Sequence, residues 1–551
     1  EDENRGYILF HRHWDDDVTY NTLPRLVDIR ARFEAAGTPG QRVPLTLCVR
    51  TLKPLTGVSV SVSDIASPDG SVIPSSAISV EAVRYMMMHG EEGSYRISPE
   101  AIEKQSAVDL PADITKTWWL TMNIPPDARP GYYTGQIQFK HTGAAPSLVA
   151  FTLEVYPFTL VPPACSLGVW YEDPSAQGYL TGLLGGLTPG GRNASASTDL
   201  DKSVEAYRLA MLEADLQSLS RHGFNSITVP VPRVVSVSRE GHVVLDFSAL
   251  DAYRELLPRY SINTDFAGQT YLLGIARQIV TVGADGRPVE EYSELHKKAY
   301  KNAVAQVFDY WQKAHIKLLA YVVDEPREKN INPWNRNLDG TLYYLRLIRE
   351  IGSLTSTVTT MRDIQNNVSY KPILEAEDVV QPHPSPHNID SVQYAAKSGK
   401  PLRFFNGAGF RRLDFGFYIY SRKPEGYWQW HFDFRDFSYN PFWESSVGYV
   451  TFPSADGPIS TPRYERAAQG IYDYRYALTL EDYIKKAKTS GAAPALEAAK
   501  RASALLDSIK KAVPQWVLDK DWEPVNVPSE QLENYRRRIA AAIKDIQATL
   551  P

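Results

Sequence analysis

From Ser166 onward the chain alternates short apolar, β-branched runs with longer segments of helical period, and no other feature constrains the fold as tightly. The runs are SLGVWYED (166–173), FNSITVP (224–230), TYLLGIA (270–276), LLAYVVDEP (318–326), TSTVTTM (355–361), EDVVQPH (377–383), PLRFFNG (401–407) and GYWQWHFDF (426–434). Between them Val204, Tyr207, Met211 and Leu219 recur near the helical period, as do Leu295, Ala299, Ala303, Val307, Trp311 and His315. Two more helices are predicted over 338–352 and 388–398. About eight strands, most followed by a helix, is the number that a (β/α)8 barrel of TIM type requires.

The flanks read differently. Before the barrel, PLTLCVR (44–50), GVSVSV (57–62), WWLTMN (118–123), GQIQF (135–139) and LVAFTLEVY (148–156) are short strands broken by turn residues, the pattern of a β-sandwich. The proline-stiffened FTLVPPAC (158–165) marks a boundary. After the barrel, Thr461 and Pro462 form a cap and first turn for a helix to about Tyr483. Ala493 to Val513 is a second helix, and a third from about Ser529 puts Leu532, Tyr535, Ile539, Ile543, Ile546 and Leu550 on one face. The expected organisation is an accessory sandwich over 1–162, a barrel over 163–455 and packing helices over 456–551.

Barrel enzymes carry their sites at the carboxyl ends of the strands. Here those ends hold Tyr171, Glu172 and Asp173; Pro230 and Arg233; Arg277; Asp324 and Glu325; Arg362 and Asp363; His383 and His387; Asn406; and Trp428, Trp430, His431 and Asp433. The fourth run is the unusual one. It ends a buried strand in two adjacent carboxylates, whose mutual repulsion in a poorly solvated place raises the proton affinity of the pair. Pro326 disfavours helical geometry at Glu325 and predicts an extended residue there. The bland alternative is an ion pair from either acid to Arg277, Arg327 or Arg362.

Trp428 and Trp430 share a strand face, so one of them is a candidate platform under a sugar ring, against ordinary barrel core. Tyr171, Tyr321, Asn406 and Asp433 are candidates to bond sugar hydroxyls, with Arg277 and His383 beside them on the rim. Abundant Tyr and Trp, 32 and 11 residues, suit sugar stacking. A net charge of −5 over 551 residues gives no basis for nucleic-acid binding. No apolar run spans a bilayer, and the charged opening Glu1 to Asn4 fits a processed, exported protein. Cys48 and Cys165, His11 and His13 before Asp15 to Asp17, and His383 with His387 lack zinc-site spacing, so neither metal nor cofactor is expected. Sequons stand at Asn193 and Asn367, and the Gly-rich 178–191 reads as a rim loop.

A sandwich, a barrel whose fourth strand ends in Asp324-Glu325-Pro326, and then STPRYERAAQGIYDYRYALTL (460–480), together resemble glycoside hydrolase family 123 and its wider relatives. The terminal stretch is similar to the family signature at Arg463, Glu465, Gly470, Asp473 and Tyr474, and departs from it at Ala468 and Gln469, where an arginine precedes the glycine. The resemblance runs from about Trp170 to Leu480. It implies a retaining β-N-acetylgalactosaminidase that uses the substrate's acetamido group as nucleophile. Glu325 would be general acid/base and Asp324 would orient the acetamide.

The residues themselves lead partway there. Successive strand side chains point to opposite faces, so Asp324 and Glu325 reach one pocket only if the strand end is distorted. A proton on Glu325 near neutrality requires raised affinity, which the charge of Asp324 and a dry pocket would supply. Two alternatives stay open: hydrolysis of a non-acetamido glycan by Glu325 with a distant carboxylate such as Asp173 or Asp433, and a non-catalytic carbohydrate-binding protein.

Overall fold

The eight runs form one parallel sheet that curls into a barrel in the computed structural model, with neighbours in chain order. Its strands are β1 (Ser166–Val169), β2 (Ser226–Val229), β3 (Gly268–Tyr271), β4 (Leu318–Asp324), β5 (Ser356–Thr360), β6 (Val379–Pro382), β7 (Arg403–Phe405) and β8 (Gly426–Gln429). A bridge from Val380 to Leu402 links β6 to the start of β7. The acidic strand is fourth, as its order predicted. The structure describes residues 5–30, 32–89, 94–173, 199–284, 286–329, 336–352, 354–361, 369–433, 449–454 and 456–550.

Helices α1 (Asp199–Arg221), α2 (Asp251–Arg259), α3 (Leu273–Val282), α4 (Glu294–Lys313), α5 (Leu338–Ile351), α6 (Lys371–Ala376) and α7 (Ile389–Ser398) intervene between strands. One run departs from its expected state. TYLLGIA supplies only the end of β3 and then opens α3, because its apolar residues Leu273, Ile275, Ala276 and Ile279 bury a helical face. A short apolar run does not distinguish the two states by periodicity. A hairpin, Arg233–Val237 against Val243–Asp246, follows β2 without a counterpart in the sequence pattern.

Trp428 fills the barrel interior. It is fully buried, its Nε1 donates to Ser166 Oγ at 2.9 Å, and a Cβ on Gly168 would fall 2.1 Å from its ring. Glycine at 168 is therefore what lets the indole cross to β1.

The N-terminal unit is two facing sheets. One holds Tyr7–Phe10, Arg42–Thr51, Thr115–Asn123, Ile78–His89 and Tyr95–Glu103, and gains Ile459–Ser460 and Thr451–Phe452 from beyond the barrel. The other runs Arg32–Gly37, Ser147–Val155, Gly131–Lys140, Leu55–Val62 and Val108–Leu110. Inward residues such as Leu45, Leu47, Trp118, Leu120, Phe139 and Phe151 form its core.

Helix α8 (Pro462–Ser490), capped by Thr461 as predicted, is buried on nearly all sides among the barrel, the sandwich, α9 (Ala493–Ala512) and α10 (Ser529–Thr549). The residues that resembled a family signature sit at this joint. Glu465 accepts from Arg42 of the sandwich at 3.1 Å and lies 3.0 Å from His222 at the end of α1. Arg463 donates to Glu100. Asp473 pairs with Arg412 and Arg536. Arg536 also binds the side chain and carbonyl of Gln469, so α10 delivers an arginine to the place where the sequence departs from the signature. A Cβ on Gly470 would press into the Arg412 carbonyl at 2.5 Å. That stretch encodes how the parts dock rather than how a substrate reacts.

Candidate active site

The end of β4 is distorted in two places. Between Tyr321 and Asp324 the register against β5 shifts: Tyr321 faces Thr357 and Asp324 faces Thr359, so three steps on β4 oppose two on β5. The extra residue changes the alternation and turns Asp324 to the same side as Tyr321, whose hydroxyl donates to Asp324 Oδ1 at 2.6 Å. Glu325 follows at φ +40, a left-handed conformation strained for a residue with a side chain, while its N–H still bonds Thr359 O. The extended geometry expected before Pro326 is not adopted. The Pro326 carbonyl is held by Tyr370 Oη at 2.9 Å, and the strain buys what regular alternation forbids: two consecutive carboxylates in one site.

Each carboxylate has its own environment. Behind Asp324 runs a chain of hydrogen bonds through the barrel: Gln269 Nε2 to Gln381 Oε1, Gln381 Nε2 to Thr359 Oγ1, and Thr359 Oγ1 2.7 Å from the Tyr321 hydroxyl. Since the Tyr321 proton serves Asp324, the Thr359 hydroxyl supplies the proton of their contact. Glu325 instead faces β6, with Oε1 3.0 Å from His383 Nε2 and Oε2 3.7 Å from Arg327 Nη2.

These surroundings part the two acids. Burial, then the charge of Glu325, raises Asp324 to about 7, against the opposing pull of Tyr321, His383 and Arg327. Burial also pushes Glu325 upward, but His383 and Arg327 outweigh it and hold this acid below its ordinary value. In the free protein these surroundings favour Asp324 over Glu325 as the site of the shared proton, the reverse of the sequence expectation. The reason is tertiary: His383 and Arg327 converge on Glu325.

The other predicted residues divide by depth and direction. Trp430 stands at the mouth, 36 % exposed and stacked on His431 at 4.0 Å, where burial lowers the imidazole to about 3. Trp428 is core, as described. Tyr171 is buried toward α1, its hydroxyl on Asp215 Oδ2 at 2.8 Å, and so does not line the mouth. Asp173 is committed to Arg208 and Tyr253, both within 2.9 Å, and Asp433 is buried. Asn406, at φ +51, braces the end of β8 by accepting from Trp430 N–H at 2.8 Å. Arg277 lies within α3 rather than at a strand end, with its charge acting on Tyr271. Arg362, Asp363, Asn193, Asn367 and 178–191 are outside the described residues.

Three mouth residues escaped the sequence reading. Trp170 meets Tyr271 and Tyr321 edge-on at 6.0 and 5.8 Å. Tyr271, at the end of β3, packs on Tyr321 at 5.3 Å, and burial and the charge of Asp324 raise its hydroxyl. Strand parity could have found Trp170, since it shares the inward face of Gly168 while Tyr171 shares that of Val169. The third, Trp522, comes from the C-terminal segment, 5.7 Å from the His383 ring.

A pair of proton-sharing acids ringed by aromatic residues at the carboxyl face of a barrel, behind a β-sandwich, defines the class as a glycosidase. Residues 24–141 match the family model described as the glycoside hydrolase 123 N-terminal domain, a match that falls on the sandwich. Over 98% of this chain and 97% of the other, the fold is similar to that of a family 123 glycoside hydrolase from Clostridium perfringens, at 14% identity and a TM-score of 0.67. In its N-terminal domain and its overall fold the chain is thus similar to glycoside hydrolase family 123.

More distant are a Bacteroides ovatus xyloglucanase (9% identity, 80% of this chain and 98% of that one, TM-score 0.31) and a Bacteroides uniformis β-glucuronidase (12%, 81% and 49%, TM-score 0.27). No curated protein matches the chain. No described helix is long and apolar enough to cross a membrane.

Proposed function

We propose that this glycosidase is a retaining enzyme that cleaves β-linked N-acetylgalactosamine, or a related 2-acetamido sugar, from a glycoconjugate with the substrate's acetamido oxygen as nucleophile. The observation that carries the reading is the pairing of consecutive carboxylates in one site with unequal surroundings. Asp324 receives the acetamide N–H, and Glu325 protonates the glycosidic oxygen. As the C1–O bond breaks, the acetamido oxygen forms its bond to C1 and the leaving group departs with the proton of Glu325. Water, deprotonated by Glu325, then opens the cyclised intermediate.

The resting proton fits this sequence. An amide N–H donated to Asp324 stabilises its charged form, so substrate arrival favours moving the proton from Asp324 to Glu325. The rival scheme needs a free distant carboxylate, and the ion pair of Asp173 with Arg208 argues against that residue. Hydrolysis of glycolipid glycans by the Clostridium perfringens relative supports a glycoconjugate substrate.

The test is hydrolysis of an aryl 2-acetamido-2-deoxy-β-galactoside by the wild type, Glu325→Gln and Asp324→Asn. Each substitution is expected to lower kcat by about 100-fold or more, and a thiazoline mimic of the cyclised acetamide to inhibit the wild type. Unchanged rates in both variants would remove the pair from the mechanism. Activity without thiazoline inhibition would favour the two-carboxylate scheme, and glycan binding without hydrolysis a retired barrel.

A further inference from the structure

The segment between α9 and α10 builds a small hairpin against the barrel's carboxyl face. Val525 N–H bonds Val517 O at 2.9 Å, and Leu518 bridges Pro524. At the tip Asp519 Oδ1 accepts the N–H groups of Asp521 and Glu523, and Trp522 sits at φ +64. Two ties fix the hairpin to the barrel. Arg411, in the β7–β8 connection, donates to the carbonyls of Val525 and Val517 at 3.1 and 3.2 Å, and His387 Nε2 donates to Lys520 O at 2.7 Å.

The hairpin therefore presents Trp522 in one place. Its ring stacks on His387 at 5.7 Å and 10°, and meets His383 edge-on at 5.7 Å; His383 in turn lies 3.0 Å from Glu325 Oε1. Trp522 Nε1 has no acceptor among the described residues, so no hydrogen bond of that donor accounts for an indole there. The site is also lopsided. Tyr321, Tyr271 and Trp170 gather on the Asp324 side, while His383 and Trp522 stand on the Glu325 side.

We infer that Trp522 is a specificity-determining wall of the leaving-group subsite, a platform for the first sugar ring of the aglycone. The inference rests on the reading of Glu325 as proton donor. The bond that breaks has its oxygen at Glu325, so the departing sugar leaves past His383 and over Trp522, whereas the sugar carrying the acetamide lies toward Asp324. An indole presents the flat apolar face that a pyranose ring packs against.

The experiment compares two substrates of the full chain: a disaccharide of β-linked N-acetylgalactosamine on galactose, and methyl 2-acetamido-2-deoxy-β-galactopyranoside, whose leaving group has no ring. Trp522→Ala should lower the ratio of kcat/KM for disaccharide over methyl glycoside by about 10-fold, mainly through KM, because only one substrate uses the platform. Inhibition by the thiazoline, which has no aglycone, should change by less than about 2-fold. Trp522→Phe keeps an aromatic face and should hold the ratio within about 3-fold of wild type. An unchanged ratio in Trp522→Ala overturns the inference, as does equal loss of both substrates and of thiazoline binding, which would mean a collapsed site. If the wild type cleaves neither glycoside, the hexosaminidase reading itself fails and this inference with it.

Discussion

Removing one hydroxyl at Tyr321 should produce an unusual pairing of effects: a slower enzyme whose activity persists to higher pH. Tyr321→Phe deletes the donor 2.6 Å from Asp324 Oδ1 and leaves the ring in place. A hydrogen bond to a charged group contributes about 1.5–3 kcal/mol, which at 1.36 kcal/mol per unit is about 1–2 pKa units. That bond favours the ionised form of Asp324, so its loss moves the acid upward from about 7.

The active form of the pair holds one proton, placed on Glu325 when substrate reacts. Making Asp324 the stronger base depletes that arrangement and lowers kcat/KM at the optimum by about 10- to 100-fold. The same change delays loss of the last proton, so the alkaline limb of kcat/KM moves up by about 1–2 pH units. The assay is the pH profile of aryl glycoside hydrolysis from about pH 4 to 10, with thermal unfolding alongside, since Thr359 loses a buried partner at a cost of about 1–3 kcal/mol. An alkaline limb that stays put, or moves down while the rate falls, would refute the assignment of the shared proton.

Asp324→Asn should stabilise the fold more at pH 8 than at pH 5. The raised Asp324 favours the folded state while it keeps its proton, and this advantage is lost as pH rises through about 7. Equal shifts in unfolding midpoint at the two pH values would contradict that. Glu465→Gln should destabilise by about 3 kcal/mol or more at neutral pH, because it leaves the Arg42 guanidinium in a buried joint. Burial pushes Glu465 up, but Arg42 and His222 hold it well below its ordinary value. Its contribution is therefore complete above about pH 4.3 and declines progressively as pH falls from there toward its depressed folded value, so denaturant titrations at about pH 7 and about pH 3 should show a smaller deficit in acid. Gly168→Ala drives a Cβ into the Trp428 indole and should cost about 1–3 kcal/mol in denaturant unfolding; a neutral substitution would mean that the indole can move.

Much of the architecture was legible because it rests on periodicity. Alternating strands and helices, the fourth place of the acidic strand and the Thr461 cap depend on local pattern, and local pattern survives folding. TYLLGIA failed where the pattern is too short to carry a period. At the site, legibility stopped at residue type. Asp324 and Glu325 were found from their place at a strand end, but Tyr171 and Trp430 were equally good candidates until one proved to face α1 and the other the solvent.

The chain alone thus determined that a barrel would carry two consecutive acids at its active face, since strand order and strand ends are written in one dimension. Only the tertiary structure decided how both reach one site, which of them holds the resting proton, and what walls the cleft. A bulge against β5, a left-handed residue, His383 and Arg327 converging on Glu325 and an indole from nearly two hundred residues further along the chain are relations between distant segments. No local pattern records such relations, because proton affinity and packing depend on what lies within a few ångströms in space.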